Sequence, residues 1–280
     1  MKVAVTGTYG YLGSKIAEKL KKNGVEAIAL TRNPRGDNEL LFSLNQSTPS
    51  ADDLKKMKID ALIHCGWDLK ISVNQKKSLA INVDGSIKLL RSAVDANIRN
   101  IIFISSMSAH EGCQSTYGKH KLRVEKVFLQ QGSKIIRPGL IWSDSNPNGL
   151  YGVLCKIIKY LPVVPIIGTG NNKLFLVHDE DLTNLIIETL NYTPQNKNER
   201  IVTAAEPTAI KFKDILKTIS LRNNKHTLFI AVPWQIIWLA LKFIEIVKLP
   251  FPLKSDSVIG LIKSEVKPLF QIKFKFKPFN

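Results

Sequence analysis

The sequence predicts an α/β fold built on a parallel sheet, and three observations carry that expectation. An apolar run, Val3-Ala4-Val5, leads through the glycine-spaced turn Thr6-Gly7-Thr8-Tyr9-Gly10-Tyr11-Leu12-Gly13 into an amphipathic segment over 12–20, so a strand turns directly into a helix. Apolar runs then alternate with segments of helical periodicity as far as Asp181, the pattern of parallel strands covered by helices. Finally, 280 residues suffice for one large domain or a main domain with a smaller partner. Together these describe a doubly wound sheet of the Rossmann type. Its core is expected over residues 1–150. Residues 151–280 are expected to form mainly a smaller C-terminal substrate lobe, with segments returning to complete the sheet.

Taken in order, the elements also suggest a ligand. Gly7 allows a tight turn, Gly10 lets backbone approach a ligand with no Cβ in the way, and Gly13 permits close packing of the helix on the sheet. The helix N-terminus behind them favours anions. Gly7, Tyr9, Gly10, Tyr11, Leu12 and Gly13 are therefore expected to cradle the pyrophosphate of a dinucleotide. The second strand, over 25–30, runs into Thr31-Arg32-Asn33-Pro34-Arg35. A site for NAD(H) places an acid at this point to bind the ribose hydroxyls, and none is present; Arg32, with Arg35 in reserve, suits a 2′-phosphate. NADP(H) is the expected cofactor, with NAD(H) the alternative.

The apolar run Ile101-Ile102-Phe103-Ile104 reads as a buried strand ending in Ser105-Ser106. Ligands of a doubly wound sheet bind beyond such strand ends, where a serine hydroxyl can bond a substrate oxygen. Downstream, Leu122, Val124, Val127 and Phe128 predict a helix over 115–131. Tyr117 and Lys121, four apart, share a face of it. The lysine is expected to lower the tyrosine pKa towards neutrality, so that Tyr117 can donate a proton to a carbonyl oxygen as hydride reaches the carbon.

With these residues in place, the chain resembles the extended short-chain dehydrogenase/reductases of the NAD-dependent epimerase/dehydratase family. The turn from Thr6 to Gly13 resembles that family's TGxxGxxG signature, and Asp60-Ala61-Leu62-Ile63-His64-Cys65-Gly66-Trp67 its fourth-strand motif. Asn82-Val83-Asp84-Gly85 resembles its NVxG, Ile136-Arg137-Pro138-Gly139 its RPG turn, and Val177-His178-Asp179-Glu180-Asp181-Leu182 its HVxDL segment. The resemblance implies Ser106, Tyr117 and Lys121 as the catalytic residues, with Ser108 the alternative hydroxyl. It also implies cofactor contacts from Cys65, Gly66, Trp67, Asn82, Tyr117, Lys121 and Pro138, and substrate contacts from Ser108 and Arg137. It further implies a homodimer and a nucleotide-sugar-like substrate, a 4-keto sugar reduced in surface-polysaccharide synthesis. A nucleotide-sugar epimerase with retained NAD and a non-catalytic NAD(P)-binding regulator are the other readings. Extended members place the Ser or Thr some two dozen residues before the Tyr, whereas positions 106 and 117 are eleven apart.

Helices are expected in the C-terminal lobe over 150–161, 182–190, 212–220 and 233–247. The last is the most apolar stretch of the chain but too short to span a bilayer, and Lys242 and Glu245 interrupt it. It is read as a helix buried in the lobe, the alternative being a surface that settles on a membrane or a partner. The formal net charge of +17 suits anionic ligands or acidic lipid. The cations are scattered without interleaved aromatics, so nucleic acid is not expected; Lys273, Lys275 and Lys277, alternating with Phe274 and Phe276, read as an edge strand or tail. Cys65, Cys113 and Cys155 form no paired framework, and no secretory leader is read before the first strand, so the cytosol is the expected compartment. His110 and His120 lack metal-ligand spacing and are read as local or surface residues; no metal is expected.

Overall fold

Strand β1 (Lys2–Thr6) runs through the middle of a seven-stranded sheet because Val3, Ala4 and Val5 are buried from both sides. The computed structural model describes residues 1–69, 71, 74–196, 198–262, 268–270 and 274–279. After β1 come α1 (Tyr11–Lys22), β2 (Glu26–Thr31), β3 (Glu39–Leu41), α2 (Ala51–Lys56) and β4 (Ala61–His64). A short α3 (Gln75–Ser78) passes through a π-helical turn, Leu79–Val83, into α4 (Asp84–Asp95), followed by β5 (Asn100–Ile104), α5 (Thr116–Gln130), β6 (Lys134–Pro138) and β7 (Leu140–Trp142). The remainder comprises α6 (Gly149–Tyr160), β8 (Val163–Ile167), β9 (Lys173–Leu174), β10 (Leu176–His178), α7 (Asp179–Asn191), β11 (Ile201–Ala204), β12 (Ile210–Lys211), α8 (Phe212–Arg222), β13 (Leu228–Val232), α9 (Trp234–Ile246) and α10 (Ser255–Ile262).

The sheet order is β11-β6-β5-β4-β1-β2-β3, and every pairing is parallel. Strand order reverses between β1 and β4, which makes a crevice beyond their carboxyl ends. Because side chains alternate along a strand, Val3 and Val5 pack with Ile16, Leu20, Leu182 and Ile186 of α1 and α7. Ala4 faces the opposite layer, with Leu89, Leu90, Val124 and Phe128 of α4 and α5. Lys134 of β6 donates to the Thr189 and Tyr192 carbonyls and so satisfies the C-terminal end of α7. A third core belongs to the lobe, where Trp142, Tyr151 and Ile158 meet Phe212, Ile215 and Leu216.

Residues 274–279, the last that are described, contribute to both parts without forming a strand. Lys273 lies outside the described residues; beyond it Phe276 enters the core beside β1, and Phe279 packs edge-on against Trp142. The expectation that residues 233–247 are buried is corrected. In α9 only Leu241 is fully covered, while Ile236, Leu239, Phe243 and Ile246 are 56–74% exposed. The helix is apolar all round, and the lobe covers just the face carrying Trp234, Ile237, Trp238 and Ile244.

A Cβ on Gly13 would stand 2.1 Å from the Gly7 carbonyl oxygen, which is backbone and cannot step aside. Gly13→Ala is therefore expected to lose about 1–3 kcal/mol of stability. Chemical denaturation measures this, and the same variant should lose dinucleotide binding because the α1 N-terminus is pushed off β1.

Candidate active site

The switch-point crevice has a floor of hydrogen bonds. Thr6 Oγ1 accepts from the Cys65 and Gly66 N–H groups, at 3.0 and 2.8 Å, and lies 2.8 Å from His64 Nδ1. His64 Nε2 is 2.8 Å from Ser86 Oγ, which donates to the Asn82 carbonyl. One arrangement satisfies every group: Thr6 donates to Nδ1 and His64 carries its proton on Nε2. Burial accordingly holds the His64 pKa down to about 3, so the ring stays neutral. Asn82 meanwhile clasps residue 68, accepting from its N–H and donating to its carbonyl.

These residues fit a dinucleotide. Gly7, at φ 73°, faces Gly66 so closely that a Cβ would be 3.1 Å from the Gly66 Cα. Gly10 precedes α1 with no side-chain cap, and the first turn carries no acid, which leaves its N–H groups aimed at an anion. Thr8 Oγ1, on the same turn, is buried without a partner. Leu12 packs towards the core, and Tyr11 keeps its backbone in the turn while its hydroxyl donates to Asp179 Oδ2 at 2.6 Å. Cys65 turns its thiol to the Thr6 carbonyl, and burial pushes its pKa up to about 12. Beyond β2, Arg32 lines a cavity of about 510 Å³ with Asn33, Leu41, Ser43, Asn45, Gln46 and Ser47. The linear reading missed one carboxylate on this rim. Glu39 of β3 accepts from the Tyr9 hydroxyl at 2.8 Å and from the Arg35 N–H at 2.6 Å.

The reactive groups meet at the carboxyl end of β5. Ser106 stands at the end of β5, where its Oγ accepts from the Ser108 N–H at 3.1 Å, and Tyr117 lies in the first turn of α5 with its ring centroid 6.1 Å from that of Trp67. The short interval between positions 106 and 117 closes because Gly118 has no side chain: a Cβ there would lie 2.2 Å from the Ser108 carbonyl. Lys121 is 3% exposed, donates to the Ile104 carbonyl at 2.7 Å, and lies 4.1 Å from the Trp67 ring centroid. The expected lowering of the Tyr117 pKa is corrected. Burial pushes the phenol up to about 12 and brings Lys121 down to about 7.

Helix α5 is held at three points. Ser115 accepts from the Gly118 N–H, and Asp256 of α10 accepts from Thr116 and Tyr117, at 2.7 and 3.0 Å, so two side chains cap the first turn. Glu245 of α9 in turn receives the Ser255 N–H and hydroxyl at the start of α10. Farther along, Glu125 is fully buried and takes the Arg137 guanidinium at 2.9 and 2.5 Å. Arg137, expected at the substrate, is thus the ion-pair partner that a buried carboxylate requires. Pro138 accepts from the Met107 N–H, keeping the 105–115 loop on β6. His120 is not a surface residue: it is 5% exposed and bonds Ser78 Oγ. Asp256 and Glu125 carry no motif; the one local signal was the place of Glu125, four residues after Lys121 on the same helix face. Among the described residues, no cluster of His, Cys, Asp and Glu could hold a metal, and no helix is long and apolar enough to cross a membrane.

Comparison with known proteins agrees with this geometry. The family described as NAD dependent epimerase/dehydratase matches residues 3–204, from β1 to the last residue of β11. A UDP-glucose 4-epimerase of Vibrio cholerae is 22% identical over 265 residues, covering 84% of this chain and 79% of that protein. Among solved structures, MoeE5 in complex with UDP-glucose and NAD has a TM-score of 0.70 at 18% identity, covering 83% of this chain and 85% of the other. A dTDP-4-dehydrorhamnose reductase from Clostridium acetobutylicum has a TM-score of 0.67 at 18% identity, covering 83% and 84%. At such identities the structural likeness establishes the fold. The family match covers the whole sheet, the glycine turn and the helix that carries Tyr117 and Lys121, and the chain belongs to the NAD-dependent epimerase/dehydratase family.

Proposed function

We propose that the protein is an NADP(H)-dependent oxidoreductase that reduces the keto group of a 4-keto nucleotide sugar, in the synthesis of a surface polysaccharide. The observation that carries the reading is the placement of Tyr117 in the first turn of α5, beside Trp67 at the dinucleotide crevice, with the buried Lys121 one turn farther on and bonded to the Ile104 carbonyl at the end of β5. A bound reduced nicotinamide supplies the hydride. Tyr117, with its pKa up at about 12, is a phenol at neutral pH and holds the proton that the carbonyl oxygen takes. Ser106, fixed by the Ser108 N–H, orients that oxygen. Lys121 supplies the positive charge that offsets the negative charge developing on the tyrosine. A protonated tyrosine suits reduction, since the reverse direction begins with a phenolate.

An epimerase that retains NAD(H) is the second reading. Glu39 favours it, because its carboxylate stands on the glycine-turn rim, where it opposes a 2′-phosphate. The UDP-glucose 4-epimerase relative and the NAD in the MoeE5 complex point the same way. Arg32, and the absence of an acid at the end of β2, support NADP(H).

Three measurements test these roles. NADPH oxidation against a panel of 4-keto nucleotide sugars should show turnover, and Tyr117→Phe should lower kcat by about 10²–10⁴-fold with dinucleotide affinity nearly unchanged; full retained activity would exclude the assignment. Titration should show NADPH binding more tightly than NADH, with Arg32→Ser erasing an advantage of about ten- to a hundredfold; equal or tighter NADH binding would sink that preference. Asp256→Ala should remove about 0.5–2 kcal/mol of stability from the start of α5. It should lower kcat while the dinucleotide Kd holds, and Asp256→Asn should recover part of the loss, as expected of a residue that positions Tyr117.

A further inference from the structure

We infer that the outer face of α9 is a docking surface for an anionic lipid bilayer, on which the protein rests without crossing it. Ile236, Leu239, Phe243 and Ile246 follow one another at three- and four-residue steps and form a single exposed stripe. Their exposures of 56, 60, 65 and 74% are those of a face that none of the described residues covers. The opposite face is already used, since Leu241 is 4% exposed and Trp234, Ile237, Trp238 and Ile244 pack into the lobe core. The stripe continues past the helix end through Val247, Leu249 and Phe251, all exposed. Isolated exposed leucines are ordinary, but a continuous apolar ridge is a contact surface.

Charge selects the occupant. Between 228 and 254 the charged residues are Lys242, Lys248, Lys254 and a single acid, Glu245. That acid is turned inward, its side chain 5% exposed, and is occupied by the Ser255 N–H and hydroxyl. Lys242 lies at the edge of the stripe, 3.6 Å from Glu245, and Lys248 is exposed where the chain leaves the helix. The ridge therefore shows solvent an apolar crest bordered by cations, within a chain of net charge +17. An acidic lipid surface complements both features, with acyl chains for the crest and headgroups for the lysines. A second copy of this chain would bring the same lysines against themselves. At 13 residues α9 is too short to span a bilayer, which leaves it lying in the interface.

The test is co-sedimentation of the whole protein with vesicles of phosphatidylcholine and phosphatidylglycerol, beside vesicles of phosphatidylcholine alone. Binding is expected to the anionic vesicles and to fall as salt is raised. Replacing Lys248 and Lys254 with Gln should weaken it about fivefold per lysine, and Leu239→Glu with Phe243→Glu should abolish it. Circular dichroism and dinucleotide binding should be unchanged in these variants, which shows that the lobe still folds. No sedimentation with anionic vesicles, or sedimentation indifferent to the glutamates, would overturn the inference. Sedimentation velocity showing a dimer dispersed by the same glutamates would assign the face to a second copy and overturn it as well.

Discussion

Everything at the active site depends on how closely β1 and β4 approach at their carboxyl ends. Gly7 and Gly66 face each other where a single Cβ would intrude, and Gly13 brings α1 down onto the Gly7 carbonyl. Such contact leaves polar backbone in a confined space, and Thr6 resolves it by accepting two N–H groups of the β4 turn with one hydroxyl oxygen. The hydroxyl hydrogen then needs an acceptor, which fixes the tautomer of His64 and, through Ser86, the carbonyl of Asn82. A chain of neutral groups thus ties the glycine turn to the π-helical turn before α4. With the floor satisfied internally, the N–H groups of α1 are left for a ligand.

The second half of the site is held from farther away. Tyr117 lies in the first turn of α5, where a helix end is prone to fray, and that turn is capped by its own Ser115 and by Asp256 from the C-terminal lobe. Asp256 is aligned by an α10 whose first residue is fastened to Glu245 of α9. The lobe is therefore more than a wall for substrate. Hydrogen bonds run from Glu245 on the underside of α9 to Ser255 of α10, and from the adjacent Asp256 to the backbone of Tyr117.

The parts legible in sequence are those that local pattern encodes. The helix expected over 115–131 forms as Thr116–Gln130 between Ser115 and Gln131, because its apolar spacing and cap are local. The short interval between Ser106 and Tyr117 is plain in the spacing, whereas the device that closes that loop, Gly118 against the Ser108 carbonyl, is visible only in three dimensions. What pattern cannot encode is which distant residue claims a charge. Arg137 is paired with Glu125, which lies buried on α5. Glu39 reaches Tyr9 across two strands, and Asp256 reaches α5 from 140 positions away. The apolarity of α9 misled for a related reason: composition says that a face avoids water, not whether the same chain covers it.

The two titrating groups bring these layers together. Burial leaves Tyr117 protonated and divides Lys121 between its forms near pH 7. A ligand whose hydroxyl oxygens accept from the ammonium raises the lysine pKa, so it takes up a proton as it binds. The sign follows: with the free pKa at about 7 and the bound value higher, affinity is full below pH 7 and declines as pH rises towards the bound value. An ammonium fixed in this way also favours the phenolate, which eases departure of the tyrosine proton. The same dry packing around Trp67 and Phe103 that disfavours the lysine charge thereby couples protonation of Lys121 to occupancy of the crevice.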